Sequence, residues 1–199
     1  MHNKIPFVIE KNDKDGERAY DLYSRMLKDR IIFVTSQFTQ EMADAIVAQL
    51  LFLEADNSEK DIYMYVNSPG GDITAMYGIY DTMQYVNPDI ATIGYGQCCS
   101  AGSFILAAGT KGKRHALPNT AIMIHELSGG TQGKMHDMRS RFLHAESLYD
   151  KMAKQYVTMT GQRLNKIKKD MEIDHWLTAE DALAYGLVDK VEYKREKIS

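Results

Sequence analysis

The chain has 199 residues, 44% of them hydrophobic and 26% charged, with a formal net charge of −3. That length supports one domain with a substantial core, and the slight acidity excludes nucleic acid as a partner held by a basic surface. With no apolar run of about 18 residues, no signal-peptide start and two adjacent cysteines (Cys98, Cys99) that are poorly placed to bridge, the reading is a cytoplasmic protein with no membrane partner.

Residues 1–20 combine an apolar patch, Ile5 to Ile9, with a polar turn around Asp13 to Gly16, and read as a flexible arm. A short helix over Asp21 to Lys28 leads to a strand from Ile31 to Thr35. Thr39 opens a helix whose apolar face holds Met42, Ala45, Ile46, Leu50 and Leu53. The strand Asp61 to Val66 alternates Ile62, Met64 and Val66 with Tyr63 and Tyr65, so one side is core and the other offers two rings.

Asn67-Ser-Pro-Gly-Gly-Asp72 follows, then a helix with Ile73, Met76, Tyr77, Tyr80 and Met83 on one face. Two glycines between strand and helix expose backbone N–H groups, which suits either an anion site or a tight turn. A second strand, Asp89 to Ile93, runs into Gly94-Tyr-Gly-Gln-Cys-Cys-Ser100, and a helix from Ala101 to Ala108 leaves the corner. Alternating strands and helices predict an α/β fold with right-handed crossovers. Ser100 at the elbow reads either as a helix N-cap or as a nucleophile beside helix-start amides.

Ala121 to His125 is a buried-looking strand, after which Ser128-Gly129-Gly130 continues extended. A long helix from about 134 to 160 carries Met135, Met138, Phe142, Ala145, Tyr149, Met152, Tyr156 and Met159, and at 1.5 Å per residue reaches roughly 40 Å. Such a helix is expected to protrude and pack on another subunit, the alternative being a surface helix lying along its own core. Leu164 to Met171 forms a short helix, and Thr178-Ala-Glu-Asp181 reads as a capping box with Gly186 as the stop.

A serine hydroxyl needs a base that changes charge near neutral pH, and that base needs a carboxylate to hold its tautomer. His125 at a strand end and Asp174 before the last helix suit these roles. Spacing leaves His115 and His144, and Asp137, Asp170 and Asp181, open as alternatives.

The runs Tyr65 to Ile73, Gly96 to Gly102, Met123-Ile-His125, Gly129 to Gly133, Asp174 to Ala179 and Tyr185 to Asp189 resemble the ClpP family, the proteolytic subunits of ATP-dependent Clp proteases. The likeness runs in order from Ile5 to Val191. It implies a ClpP/crotonase-like fold of repeated ββα units, with the arm at residues 1–20 as an axial pore loop. Residues 21–199 would be a single serine peptidase domain with the long helix as a handle. Ser100 would be the nucleophile, His125 the general base and acid, and Asp174 the orienting carboxylate.

Gly71 and Ala101 would give the oxyanion its two N–H donors, and Gly70, Ile73, Leu127, Ser128, Gly129 and Gly130 would line the substrate. Tyr63, Tyr65 and Tyr85 would dock a hexameric AAA+ unfoldase. The resemblance further implies a homo-oligomer of two stacked heptameric rings that degrades unfolded proteins. It implies no metal and no cofactor in this chain; ATP is consumed by the unfoldase, and the sequence has no Walker-type phosphate loop.

Several positions depart from the family pattern. Cys98 and Cys99 stand where small alanines are usual, and Glu126-Leu127-Ser128 replaces Gln-Pro-Leu, which alters the wall beside the scissile bond. Ile173 and His144 replace an inter-ring ion pair, and the start lies near that of mature subunits, implying little propeptide. Two competing readings are a catalytically silent scaffold subunit and a crotonase-like acyl-CoA enzyme; neither requires the Ser/His/Asp set.

Overall fold

The framework that positions the site is a parallel sheet, seen in a computed structural model that describes residues 5–12 and 16–194. Residues 1–4, the turn residues 13–15 of the expected arm and the tail 195–199 lie outside the described residues. Three strands, β3 (Ile31–Thr35), β4 (Ile62–Ser68) and β5 (Ile90–Cys99), pair in parallel in that order. They are linked by helices α2 (Gln40–Asp56) and α3 (Ile73–Tyr85). Parallel pairing demands such crossovers, because a tight turn cannot return the chain to the same end of the sheet.

β4 follows its sequence pattern: Ile62, Met64 and Val66 are fully buried, while Tyr63 is exposed and Tyr65 half-buried. On α2 the buried face is Ala43, Ile46, Leu50 and Leu53, while Ala45 faces solvent and Met42 is half-buried. The expected stripe is therefore rotated at its start, where Ala43 rather than Ala45 continues the spacing toward Ile46 and Leu50.

β5 extends to Cys99, six residues beyond the strand expected from sequence. Its two halves take different partners. Thr92 to Gly94 pair with β6 (Arg114–Ala116), and Gln97 to Cys99 pair with β7 (Ala121–Ile124), both parallel. β8 (His175–Leu177) runs antiparallel to β7, and β9 (Lys190–Val191) closes the edge on β6.

Helix α4 (Ala101–Ala107) is buried along its whole length, wrapped by core on every side. Its small residues allow that close packing. The 26-residue α5 (Met135–Thr160) is unevenly packed: Met152, Ala153 and Tyr156 are buried, whereas Met135 and Phe142 are 78% and 64% exposed. α6 (Leu164–Met171) and α7 (Ala179–Tyr185) complete the fold. The capping box is present, with Thr178 accepting from the Asp181 N–H and Asp181 accepting from the Thr178 N–H.

The arm is where local structure exceeds the sequence reading. Its described residues form an antiparallel hairpin, β1 (Phe7–Asn12) with β2 (Gly16–Asp21), followed by α1 (Leu22–Lys28). Glu10 of β1 pairs with Arg25 and Lys28 of α1, tying the hairpin to the helix after it. The Asp15-Gly16 dipeptide between two extended runs is the hairpin signal that was available in the sequence.

Candidate active site

β5 ends beside β7, so the chain reversal after Cys99 brings Ser100 next to the strand that leads into His125. Ser100 stands at the cap position of α4 with φ +56° and ψ −119°, and its side chain makes no capping bond. The N-cap alternative is thereby removed. A non-glycine residue with positive φ costs on the order of 1–3 kcal/mol, and here it aims the hydroxyl out of the elbow instead of back at the helix. The Ser100 N–H donates to the Met123 carbonyl at 2.8 Å, and its C=O accepts from the Phe104 N–H at 3.0 Å.

The Ser100 Oγ lies 2.8 Å from His125 Nε2. On the other side of the ring, Nδ1 lies 3.3 Å from Asp174 Oδ1, long for a hydrogen bond but within ion-pair range. If Nε2 accepts the serine proton, Nδ1 carries the ring hydrogen and points it at the carboxylate. Among the described residues, Asp174 is the carboxylate within ion-pair reach of His125. Three of the alternatives are engaged elsewhere: Asp170 with Lys166 and Tyr185, Asp181 in its capping box, and His115 with Glu192 at 2.9 Å.

The thiols flanking the serine are chemically quiet. Burial pushes Cys98 up to about 12, and its S–H donates to the Val66 carbonyl at 3.2 Å. Burial, reinforced by the negative Asp174, also raises Cys99. Both remain thiols at neutral pH, so neither competes with the hydroxyl as a nucleophile.

Neither Gly70, packed against the elbow, nor Gly71, packed against Phe38, has room for a side chain. A Cβ on Gly70 would sit 2.6 Å from the Ser100 Cβ, and one on Gly71 would sit 2.5 Å from the Phe38 carbonyl oxygen. Gly71 forms a parallel bridge with Phe38, in which the Phe38 N–H donates to the Gly70 C=O and the Asp72 N–H to the Phe38 C=O. Those bonds use the groups on either side of Gly71 and leave its own N–H facing away from the bridge. The Ala101 N–H, in the first turn of α4, has no helical carbonyl to bond.

Of the other expected residues, Ile73 begins α3 and packs half-buried on the core. β7 ends at Ile124, and Leu127 to Gly130 belong to no strand; Leu127 is half-buried and Ser128, Gly129 and Gly130 are exposed. A Cβ on Gly129 or Gly130 would meet nothing within 4 Å, so open space lies beside that segment. Tyr63 and Tyr65 line a groove of about 470 Å³ with Ile93, His115, Leu117 and Tyr193, while Tyr85, 78% exposed at the end of α3, lies outside it.

A hydroxyl on a strained strand-to-helix corner, an imidazole within hydrogen-bond reach of it and a carboxylate behind the ring form the kind of arrangement that serine-peptidase chemistry needs. Residues 14–195 match the family model described as Clp protease. The chain belongs to the Clp protease family, and so to a family of peptidases.

Among the described residues, no cluster of three or more His, Cys, Asp or Glu side chains could hold a metal ion. Nor is any helix among them long and apolar enough to cross a membrane. Sequence reasoning missed Ser103 and Tyr156, whose hydroxyls meet 3.0 Å apart beneath the elbow. Ser103 follows Ser100 by one helical turn, a spacing that could have drawn attention to it.

Proposed function

We propose that the protein is a serine endopeptidase that cleaves unfolded polypeptides through an acyl-enzyme. The observation that supports this most directly is the 2.8 Å contact between Ser100 Oγ and His125 Nε2. In the proposed reaction Ser100 Oγ attacks the scissile carbonyl as its proton passes to His125 Nε2. Asp174 keeps the ring hydrogen on Nδ1 and stabilises the imidazolium. The tetrahedral oxyanion is met by the N–H groups of Gly71 and Ala101.

Collapse of that intermediate breaks the C–N bond, and the departing amine takes the proton from Nε2. Water, deprotonated by the same imidazole, then attacks the acyl-serine. The acid is returned, and Ser100 recovers its proton.

The segment Leu127 to Gly130, free of any strand partner among the described residues, suits an extended peptide adding by backbone hydrogen bonds. Gly70 and Ile73 would lie along the same track. At the family level the reading extends to a ClpP/crotonase-type arrangement of ββα units and two stacked heptameric rings. α5 would be the handle between the rings, and the hairpin within residues 1–20 an axial gate to residues 21–199. A hexameric AAA+ unfoldase would consume the ATP and dock at Tyr63, Tyr65 and Tyr85, with Tyr85 reaching a groove other than that of its own chain.

The test is a fluorophosphonate probe. It should label the wild type and leave Ser100→Ala unlabelled, and peptide turnover should fall by roughly six orders of magnitude, as in other serine triads. Equal labelling of the two proteins would remove the assignment.

A further inference from the structure

Two hydroxyls that the proposed chemistry does not use meet under the elbow. The Ser103 Oγ lies 2.7 Å from the Ser100 carbonyl oxygen, 2.8 Å from the Met123 carbonyl oxygen and 3.0 Å from the Tyr156 hydroxyl. Ser103 is 0% exposed and Tyr156 1%. A serine hydroxyl has one proton, and a carbonyl can only accept. Facing two carbonyls, Ser103 donates to one of them, and its contact with Tyr156 is then satisfied by the phenol donating to Ser103 Oγ. Burial raises the Tyr156 phenol, so it stays a neutral donor throughout the working pH range.

The position of this pair matters more than its strength. The Ser103 hydroxyl touches the backbone of the residue proposed as nucleophile and that of Met123, two residues before His125. Tyr156 comes from α5, its ring edge-on to Phe104 at a centroid distance of 5.2 Å. The contact thus joins three elements: the elbow carrying Ser100, the strand leading to His125 and the long helix. A side chain that only filled space would need the ring and the methylene, but neither oxygen.

We infer that Ser103 and Tyr156 are positioning residues for the reaction of Ser100. Their linked hydroxyls brace the left-handed elbow against β7 and α5, so that the Ser100 Oγ rests within hydrogen-bond reach of His125. This inference rests on the serine-peptidase reading above.

The test compares wild type, Ser100→Ala, Tyr156→Phe, Ser103→Ala and the double variant, each in its natural assembly and well below its melting temperature. Tyr156→Phe keeps the packed ring and removes one oxygen. It should slow fluorophosphonate acylation and lower kcat for a short peptide about 10-fold, the scale expected when a reacting atom is slightly misplaced, while KM stays within about two-fold. The double variant should lose no more than the worse single one, because both changes break the same link. A destabilised Ser103→Ala leaves the decision to Tyr156→Phe. Wild-type acylation and kcat in Tyr156→Phe, with wild type labelled and Ser100→Ala not, would overturn the inference alone. Wild type labelled no better than Ser100→Ala would remove the serine-peptidase reading and this inference with it.

Discussion

Ser100 keeps an unfavourable backbone geometry, φ +56°, because its neighbours leave it no other. Its N–H and C=O are both bonded, and Gly70 lies against it with no Cβ in the way. Gly70 itself adopts φ +99°, a region that side chains avoid. Gly70→Ala combines backbone strain with a 2.6 Å clash against the Ser100 Cβ. It should destabilise the fold by about 2 kcal/mol in a denaturant titration and slow fluorophosphonate acylation about 100-fold. Wild-type acylation would mean that the elbow yields without disturbing the hydroxyl.

At this scale Ser100, His125 and Asp174 could be nominated from the family resemblance, whereas spacing alone left other histidines and aspartates open. The mutual distances of Ser100, His125 and Asp174 were not legible, because the three lie 25 and 49 positions apart along the chain and local patterning is silent about contact at such separations. Asp170 and Asp181 looked as suitable as Asp174 until their own partners were seen.

Between elements, one buried ion pair holds the sheet edge. Arg114 of β6, 3% exposed, meets the carboxylate of Asp189 through two nitrogens at 2.8 and 2.6 Å. It also donates to the carbonyls of Ala107 and Met159, joining α4 and α5 to that edge. Burial works to raise the Asp189 carboxyl, but Arg114 outweighs it and holds the group below the usual range. A depressed carboxyl stabilises the fold above its unfolded value near pH 4, and that contribution is lost as pH falls through the lower folded value. Asp189→Ala would strand a buried guanidinium and should cost about 3–5 kcal/mol, measured by urea unfolding at pH 7, with the difference from wild type shrinking toward pH 2.

Element type was largely readable, since α3, α5, α7 and β4 lie where periodicity and capping put them. The hairpin and the far half of β5 were not. Phe7, Val8 and Ile9 are consecutive, and Gly94 to Cys99 mixes glycines with the adjacent buried pair Cys98 and Cys99, so neither period of burial is written clearly in them.

At the scale of the molecule, apolar surfaces remain uncovered among the described residues. On the first half of α5, Met135, Phe142 and Leu143 face solvent, an arrangement that favours burial against another copy. Phe142→Glu should therefore reduce the assembly to smaller species in analytical ultracentrifugation, with unchanged far-UV circular dichroism. An unaltered sedimentation profile would place that face outside the interface. The proposed docking of an unfoldase at the groove of Tyr63 and Tyr65 predicts a different signature: Tyr63→Ala should weaken unfoldase-stimulated protein degradation while sparing cleavage of short peptides. Equal losses in both assays would make the ring a core support.

The amino-acid sequence by itself determined the strand and helix alternation and the family, and it nominated the candidate site residues, because burial periodicity, glycine punctuation and motif order are local properties. Only the tertiary structure decided which carboxylate stands behind His125, how Ser100 is turned at its elbow and that Tyr156 reaches Ser103. Each of those depends on distant segments closing on one another, and no periodicity in a linear chain records where such closures meet.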